Sequence, residues 1–347
     1  MRQNLQAQFN FQKVFENVFQ QQLLVDLKQL IGPQAVANLY VRIVGTATIV
    51  GANPPGTATG QDNPEALLQQ VNLTTTPALP TSNGQVPINR VSQRGVRIFS
   101  DRNRGFASKL APITDVAGAK AIDVWYELPF KRNHVIQPGE YDLTLGSYQQ
   151  ALLTLNMGNY ASLFTGTNTL DTTGLQIQIW ADIDDSRGSN YVPDLVHAVS
   201  WFENIYPVSA SGKLVINNLP TGVRFSDLLF LTEEANVLSA GIVTNFEIYS
   251  GSERWFYPGQ ANAAFINEIL GYRHSRWITD PAFAPAGIYA FDSRDGRFSK
   301  SLDAMNTPLI VNLDVLAGAA TQVRLVGHAI IPGGVAINKQ AKPSPKR

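Results

Sequence analysis

Three aspartates near the middle of the chain form its densest acidic group. Asp182, Asp184 and Asp185 occupy three of four consecutive positions. Clustered oxygen ligands of this kind suit a hard cation such as calcium. The segment departs from the EF-hand loop, because Arg187 stands at the position of the turn glycine and Pro193 at that of the bidentate glutamate. Two interpretations stay open: a calcium site, or an Asx-rich turn between two domains.

A second group, Asp292, Arg294 and Asp295, follows a run of alternating apolar residues. A carboxylate pair beside an arginine could carry out acid–base catalysis. The same residues also suit a turn held by side-chain hydrogen bonds and an ion pair, which is the interpretation we favour. The sequence contains no G-x-S-x-G, Walker or dinucleotide-binding pattern.

Cysteine is absent, which excludes disulfides, thiolate catalysis and cysteine-based zinc sites. The histidines show no H-x-H or H-E-x-x-H spacing, so we expect ordinary surface or hydrogen-bonded side chains. They are His134, His197, His274 and His328. We therefore predict a protein that is not an enzyme and that needs no cofactor, with calcium as the one exception left open.

The charge balance argues against nucleic acid as the main partner. Lys plus Arg and Asp plus Glu both count 27, so the net charge is zero. Proteins that coat nucleic acid normally carry a basic excess that neutralises phosphates. Charged residues make up 16% of the chain, below the roughly 25% of typical globular proteins. A surface with few charges suggests coverage by neighbouring subunits.

No sequence resembling a secretory signal or an apolar run of ~18 residues is seen, so we expect synthesis and assembly inside a cell.

The first 31 residues carry apolar side chains mostly at three- and four-residue steps, which predicts an amphipathic helix ending at Gly32 and Pro33. Only Arg2, Lys13 and Lys28 are basic, whereas helices that bind membrane surfaces have strongly cationic polar faces. Packing on its own domain or on a neighbouring subunit is therefore favoured, with membrane contact as a possible addition. The predicted contact residues are Phe11, Val14, Phe15, Val18, Phe19, Leu23 and Leu27.

After residue 33 the apolar period changes to two, the period of strands with one buried face. The first half contains predicted strands at residues 39–43, 122–128, 153–157 and 175–183, and a long loop over residues 51–89. The second half contains predicted strands at residues 198–207, 213–217, 226–231, 242–249, 287–291, 309–315 and 322–331, and a short helix at 261–276. Two successive strand sets predict two β-domains.

Long irregular connections between strands favour jelly rolls over meanders or propellers. The predicted fold is all-β, with two tandem eight-stranded jelly rolls, an N-terminal amphipathic helix and a short helix in the second roll. The predicted domains are a helical arm (1–32), a first roll (33–190), a second roll (191–335) and a flexible basic tail (336–347). The basic residues of the tail are Lys339, Lys342, Lys346 and Arg347.

Three segments carry a family resemblance. They are the Gln-rich residues 5–22; AIDVWYELPF at 121–130 with strands at 143–145 and 151–156; and FAPAGIYAFDSRD at 283–295 with strands at 309–315 and 323–331. In order and spacing they resemble the double jelly-roll major capsid proteins of tectiviruses, corticoviruses and autolykiviruses. These are tailless icosahedral phages with an internal membrane. The three segments cover about a third of the chain.

The resemblance implies a structural virion protein that forms homotrimers of pseudo-hexagonal outline, which tile an icosahedral shell. The implied partners are the chain itself, penton and minor capsid proteins, and internal membrane lipid. The implied location is the virion capsid, after synthesis in the host cytoplasm. The arm would lie on the inner side of the shell, in contact with the membrane or a neighbouring trimer. The tail would bind lipid headgroups, nucleic acid or another capsid protein, or remain a solvated terminus.

Two other classes of function stay open. A glycan-binding β-sandwich, such as a viral spike or adhesin, could use exposed aromatic rings to stack on sugars. The candidate rings are Trp125, Trp180, Trp201, Trp255 and Trp277. A sandwich-fold enzyme is the third class: a cupin would need a histidine-rich metal motif, which is absent, and a glycosidase would need two opposed carboxylates.

Overall fold

Strands account for most of the regular structure, as the two-residue apolar alternation requires. A computed structural model describes residues 2–12, 22–51, 53–57, 63–77, 86–92, 94–95, 113–130, 143–183, 198–235, 237–251, 253–254, 287–292, 302–304, 306–318 and 320–331.

The first half of the chain contains nine described strands. They are β1 (Arg2–Asn10), β2 (Gln22–Asp26), β3 (Ala35–Val50), β4 (Leu68–Pro77), β5 (Val86–Ser92), β6 (Gly118–Pro129), β7 (Leu143–Thr144), β8 (Tyr148–Met157) and β9 (Thr169–Ile183). Short helices lie between them: α1 (Leu27–Ile31), α2 (Tyr160–Leu163), and 3-10 turns at Asn63–Leu67 and Leu145–Ser147. The four strands predicted here lie inside β3, β6, β8 and β9. The prediction of a long loop over residues 51–89 is wrong, because β4 and most of β5 lie within that range.

The second half contains ten described strands. They are β10 (Ala198–Val208), β11 (Gly212–Ile216), β12 (Arg224–Glu234), β13 (Val237–Leu238), β14 (Val243–Ser250), β15 (Glu253–Arg254), β16 (Ile288–Asp292), β17 (Leu302–Asp303), β18 (Leu309–Val315) and β19 (Thr321–Ile331). All seven predicted strands of this half are present, with differences of one to three residues at some ends. The helix predicted at 261–276 and the domain boundary at 190 lie outside the described residues.

The described strands form three sheets. The first outer sheet has the order β1-β9-β3-β6, with β7 beside β3. The central sheet runs β13-β12-β19-β10-β5-β4-β8-β2, with β16 and β17 beside β12. The second outer sheet has the order β11-β18-β14-β15. Each outer sheet packs against one half of the central sheet, so the chain forms two sandwiches that share a sheet.

The two halves of the central sheet meet at a short parallel pairing of β10 with β5, at Trp201 with Asn89 and Phe202 with Arg90. Successive side chains on a strand point to opposite faces. Trp201 joins the first hydrophobic core, whereas Phe202 packs against the second. The two outer sheets therefore lie on opposite faces of the central sheet.

Each sandwich has its own core. The first is built from alternate residues of β3, β6, β8 and β9, such as Leu39, Val41, Ile177 and Leu153, all fully buried. The second contains side chains of β12, β14, β18 and β19. Its centre includes Phe225, Phe230, Ile248, Val311 and Leu325. Burial of two such faces is the main stabilising contribution to a sandwich.

The prediction of one N-terminal helix over residues 1–31 is wrong. Residues 2–10 form edge strand β1 on the first outer sheet, and residues 22–26 form β2 at the far edge of the central sheet. Only α1 (Leu27–Ile31) is a complete helix in this part of the described chain. A register shift between Leu5 and Ala7 turns Leu5 outward and Phe9 inward, which disguises the strand period.

The strand pairings place both described chain ends at one end of the molecule. Arg2 pairs with Ile183, and Ile331 pairs with Ala198. β7 pairs with β3 next to Ile183 and leads directly to the start of β8. Because the pairs β8–β4 and β4–β5 are antiparallel and β5–β10 is parallel, Ala198 lies at the same end as the start of β8 and therefore as Ile183. The segments 53–57, 113–117 and 158–168 lie at the opposite end, which we call the loop end.

Candidate interaction surfaces

The outward side of the first outer sheet carries a group of large side chains, here called the aromatic face: Leu5, Tyr40, Arg42, Trp125 and Trp180. Strand register places Leu5 beside Trp180 and Trp180 beside Tyr40. The ring centroids of Trp125 and Trp180 are 5.9 Å apart, and those of Tyr40 and Trp125 are 6.3 Å apart, edge to face. Leu5 is 44% exposed, and both tryptophans are half-buried. Packing among the rings holds them in fixed positions.

The charges beside these rings are paired within the same face. Arg42 donates two hydrogen bonds to Asp123, each 2.7 Å long, and its guanidinium carbon lies 4.7 Å from the Trp125 ring centroid. The hydrogen bond from Arg42 is the main cause that lowers the pKa of Asp123. The same bond raises the pKa of Arg42. If another protein surface packs on the aromatic face, Arg42 and Asp123 therefore keep each other as partners.

Asp182, one of the predicted calcium ligands, lies on β9 next to the aromatic face and is 8% exposed. Its carboxylate accepts hydrogen bonds from the Asn38 amide at 2.8 Å and from the Tyr40 hydroxyl at 2.7 Å. Asp184 and Asp185 lie outside the described residues. The described part of the chain contains no group of three or more His, Cys, Asp or Glu side chains that could hold a metal.

A buried ionic cluster joins the two sandwiches, here called the inter-roll seam. Arg94, which follows β5, lies 3.2 Å from the carboxylate of Glu233 on β12. Arg324 on β19 pairs with Glu233 at 3.2 Å and also with Glu203 on β10. Glu203 in turn accepts a 2.6 Å hydrogen bond from the backbone amide of Ser92. Two carboxylates and two guanidiniums thus balance each other between the rolls.

Burial is nearly complete in this cluster: Glu233 is 0% exposed and Arg94 7%. Burial works against the charge of Arg324, but Glu203 and Glu233 outweigh it and raise the pKa of this guanidinium. Next to it, the rings of Trp201 and His328 lie 4.5 Å apart. A methyl group on Gly95 would come within 3.0 Å of the Glu203 carboxylate and of Val326, so the first roll packs closely on this face.

At the loop end, Asp115 ties three segments together. It is 4% exposed and accepts hydrogen bonds from the Gly56 amide at 2.5 Å, the Tyr160 hydroxyl at 2.6 Å and the Asn168 side chain at 3.2 Å. Burial alone would raise the pKa of Asp115, but these hydrogen bonds outweigh burial and lower it. Tyr160 and Asn168 also line a cleft of about 310 Å³.

The predicted contact residues of the N-terminal arm are placed inside the first sandwich where they are described. Phe11 and Leu27 are fully buried and Leu23 is 8% exposed, all within the first core. The remaining arm residues, Val14, Phe15, Val18 and Phe19, lie outside the described residues. The same holds for the basic tail residues Lys339, Lys342, Lys346 and Arg347.

The other sequence candidates are spread over the fold. His328 is buried at the seam, and Asp292 ends β16, whereas Arg294, Asp295 and the other three histidines lie outside the described residues. Of the tryptophans, Trp125 and Trp180 share the aromatic face and Trp201 is buried. Among described residues, no helix is long and apolar enough to span a bilayer.

Sequence reasoning missed the inter-roll seam. The sequence feature that indicates it is a charged residue within a strand whose other residues are mostly apolar on both faces. Glu233 follows the apolar run Leu228–Leu231, and Arg324 lies between Val323 and Leu325. Strands buried on both faces lose the simple alternation of apolar and polar residues. A charge in such a strand indicates a buried partner.

No protein-family model matches the chain, and no curated protein matches its sequence significantly. Solved structures match it over nearly its whole length. The STIV major capsid protein gives a TM-score of 0.60 at 13% identity, covering 93% of this chain and 94% of that one.

A chain of the atomic structure of Sulfolobus Turreted Icosahedral Virus gives a TM-score of 0.62 at 13% identity, covering 89% and 86%. A chain of the PBCV-1 virus capsid gives 0.57 at 11% identity, covering 96% and 95%. These similarities confirm the predicted fold class: the chain is an all-β protein with the double jelly-roll fold.

Proposed function

We propose that this protein is the major capsid protein of an icosahedral virus, and that three copies form a block of pseudo-hexagonal outline that tiles the shell. The observation that supports it best is the double sandwich itself. Solved structures that share this fold over more than 85% of both chains are described as a major capsid protein, an icosahedral virus and a virus capsid. At 11–13% identity that similarity concerns the fold, so the assembly is our inference.

The surfaces of the chain suit a structural role. The two rolls are connected by the central sheet and by a balanced ionic cluster, so one chain supplies a connected two-roll unit. The charged groups of the aromatic face are already paired. Interfaces between subunits need large neutral surfaces rich in Trp, Tyr and Arg, with few unpaired charges.

The positions of the described chain ends suggest how the block is oriented in the shell. Both described ends lie opposite the loop end. We propose that the chain-end side faces the interior of the shell and the loop end faces outward. The basic tail would then extend toward internal lipid, nucleic acid or minor capsid proteins. Because Phe11, Leu23 and Leu27 are core residues, the N-terminal segment contributes to the fold first and to neighbour contacts only through its other residues.

Electron microscopy of the purified recombinant protein tests this function. We expect blocks of three-fold symmetry with a six-lobed outline, and closed shells or flat hexagonal arrays when the concentration is raised. Single particles of one double sandwich, with no ordered assembly at any concentration, would contradict the proposal.

A second candidate function is glycan binding, because Trp125 and Trp180 present partly exposed rings. Indole faces stack on sugars in many β-sandwich lectins. Saturable binding on a glycan array that is lost in Trp180→Ala, from a protein that stays monomeric, would favour this candidate over the capsid function.

A further inference from the structure

A cleft at the loop end lies between α2 and the start of β9. Its volume of about 310 Å³ is at the lower end of the range for small-molecule sites, roughly 300–1,000 Å³. Asn159, Ala161 and Thr169 line it and are exposed, whereas Asn168 and Thr172 line it and are only 5% and 8% exposed. The cleft therefore connects solvent with buried polar groups.

The side chains of the cleft are held in place by the protein itself. The Tyr160 hydroxyl donates a 2.6 Å hydrogen bond to Asp115, and the ring centroids of Tyr160 and Phe164 are 5.4 Å apart. The Asn168 side chain donates to Asp115 at 3.2 Å and accepts from the backbone amide of Asn53 at 3.2 Å. Because these groups are already ordered, a ligand binds here with a small further loss of conformational entropy.

The backbone around α2 is equally constrained. Asn159 and Ser162 form a capping box, in which the Asn159 side chain accepts from the Ser162 amide at 3.3 Å and the Ser162 hydroxyl accepts from the Asn159 amide at 3.1 Å. A Cβ atom on Gly158 would lie 2.1 Å from the Ala66 carbonyl oxygen, so the chain entering α2 packs directly on the preceding 3-10 turn. The fold thus sets the shape of the cleft.

The groups that line the cleft are neutral. Its described lining contains no charged side chain. The Asp115 carboxylate, which is bonded to Tyr160 and Asn168, already accepts three hydrogen bonds. Phosphate, carboxylate and ammonium ligands would lose hydration here without gaining an opposite charge. The cleft therefore favours an uncharged ligand.

The lining combines apolar surface with neutral hydrogen-bonding groups. Tyr160, Ala161 and Leu170 supply the apolar surface, and Asn159 and Thr172 supply an amide and a hydroxyl. In the described part of the chain, the Thr172 hydroxyl has no hydrogen-bond partner. A sugar ring has the complementary chemistry, because its C–H groups form apolar faces and its hydroxyls donate and accept hydrogen bonds around the edge.

We infer that this cleft binds one ring of a neutral sugar, a hexose or an N-acetylhexosamine that ends a glycan chain. The inference rests on the proposed capsid function, because the loop end is the side that we propose to face outward. A shell of many copies presents the same weak site many times, and multivalency converts weak single-site binding into firm attachment to a glycan-coated surface. The cleft is separate from the aromatic face, since Trp180 lies toward the other end of β9.

Saturation-transfer difference NMR on the purified full-length protein tests the inference. The probes are free glucose, galactose, mannose, N-acetylglucosamine and N-acetylgalactosamine. We expect saturable transfer to at least one of them, and none to glucose phosphate or sialic acid.

Two variants locate the binding. Thr172→Val removes one hydroxyl and keeps the side-chain shape, so the affinity should fall roughly 5- to 10-fold. Ala161→Phe fills the cleft from an exposed position and should abolish binding. Thr173→Val is the matched control, because Thr173 is exposed at the next position of β9 and does not line the cleft. It should bind as the wild type does.

A wild-type protein that binds none of the neutral sugars would overturn the inference. Equal binding by the wild type, Thr172→Val and Ala161→Phe would also overturn it, because the sugar would then bind elsewhere. Far-ultraviolet circular dichroism checks that each variant is folded, and Ala161→Phe carries the test alone if Thr172→Val is not.

Light scattering on the same samples separates this inference from the capsid function. A trimer that binds no neutral sugar refutes the inference and leaves the capsid function standing. A monomer that binds a neutral sugar through the cleft supports the inference and refutes the capsid function.

Discussion

Arg94 and Glu233 connect the two rolls through a buried ion pair, with Nη1 and Oε1 3.2 Å apart. Arg94 follows β5 of the first roll, and Glu233 lies on β12 of the second roll. Because Arg324 shares the same carboxylate, Glu233 is the centre of the cluster. Removal of one partner from a buried pair leaves the other charge uncompensated, which costs more than the pair itself contributes.

We therefore predict that Glu233→Gln lowers the free energy of unfolding by about 3 kcal/mol. Urea denaturation followed by circular dichroism measures it. The neighbouring Glu234→Gln is the matched control, because Glu234 is exposed and its substitution should change stability by less than about 0.5 kcal/mol. Equal midpoints for the two variants would show that the cluster does not hold the rolls together.

Gly45 allows β3 to approach β9 closely. Its φ is +136°, and a Cβ atom there would lie 2.1 Å from the Gly174 carbonyl oxygen. Gly45→Ala is expected to destabilise the protein by more than about 2 kcal/mol, since the clash adds to the strained backbone. Gly118→Ala, at φ +125° with open space around it, isolates the backbone contribution. Thermal melts of both variants separate clash from strain, and equal losses would exclude the clash.

The loop end depends on Asp115. Tyr160→Phe removes one of its hydrogen-bond donors and should give faster amide exchange at Gly56 and in residues 158–168. Hydrogen–deuterium exchange read by mass spectrometry checks this. Unchanged exchange in these segments would contradict the role of Asp115 as their common anchor.

The lowered pKa of Asp115 predicts that the stability of the loop end depends on pH. The pKa of Asp115 in the folded protein lies below its ordinary value of 3.8. Its contribution to stability is therefore fully present above that value and is lost as the pH falls through the lowered folded pKa. Exchange protection of the loop end should persist at pH 5 and decline below about pH 3.8. Asp115→Asn should remove this pH dependence, and an unchanged profile in that variant would assign it to another group.

Removal of residues 1–32 should prevent folding of the first roll. The described part of this segment supplies two strands and five core side chains, Phe11, Leu23, Val25, Leu27 and Ile31. Loss of several fully buried side chains costs about 2–5 kcal/mol each. Removal of residues 1–8 alone, which spares the core residues, is the control. A truncated chain lacking 1–32 that still gives a cooperative melt would contradict this placement.

The sequence predicts a strand correctly where the segment shows an uninterrupted alternation of apolar and polar residues. Residues 122–128 and 175–183 alternate cleanly, because each has one face in the first core and one toward solvent, and both were predicted correctly. Residues 2–10 did not, because a bulge after Leu5 breaks the alternation and the pairing with β9 is distant in sequence. Non-local pairing is invisible to a periodicity argument.

The interaction surfaces also depend on strand pairings that are distant in sequence. The sequence offered five tryptophans as exposed rings, but Trp201 is buried and Trp125 and Trp180 are half-buried. Only strand register places Trp125 and Trp180 side by side. The seam could not be predicted, since Arg94, Glu203, Glu233 and Arg324 come from four separate segments. Charges that pair across a fold of this kind are recognised only when the strand order is known.

The most direct test of the capsid function is the mass of the purified protein in solution, measured by light scattering at several concentrations. We predict a stable trimer of roughly 114 kDa, three chains of 37.9 kDa, that resists dilution because its subunits bury large surfaces. A monomer of 37.9 kDa at every concentration would contradict it and would favour the glycan-binding sandwich.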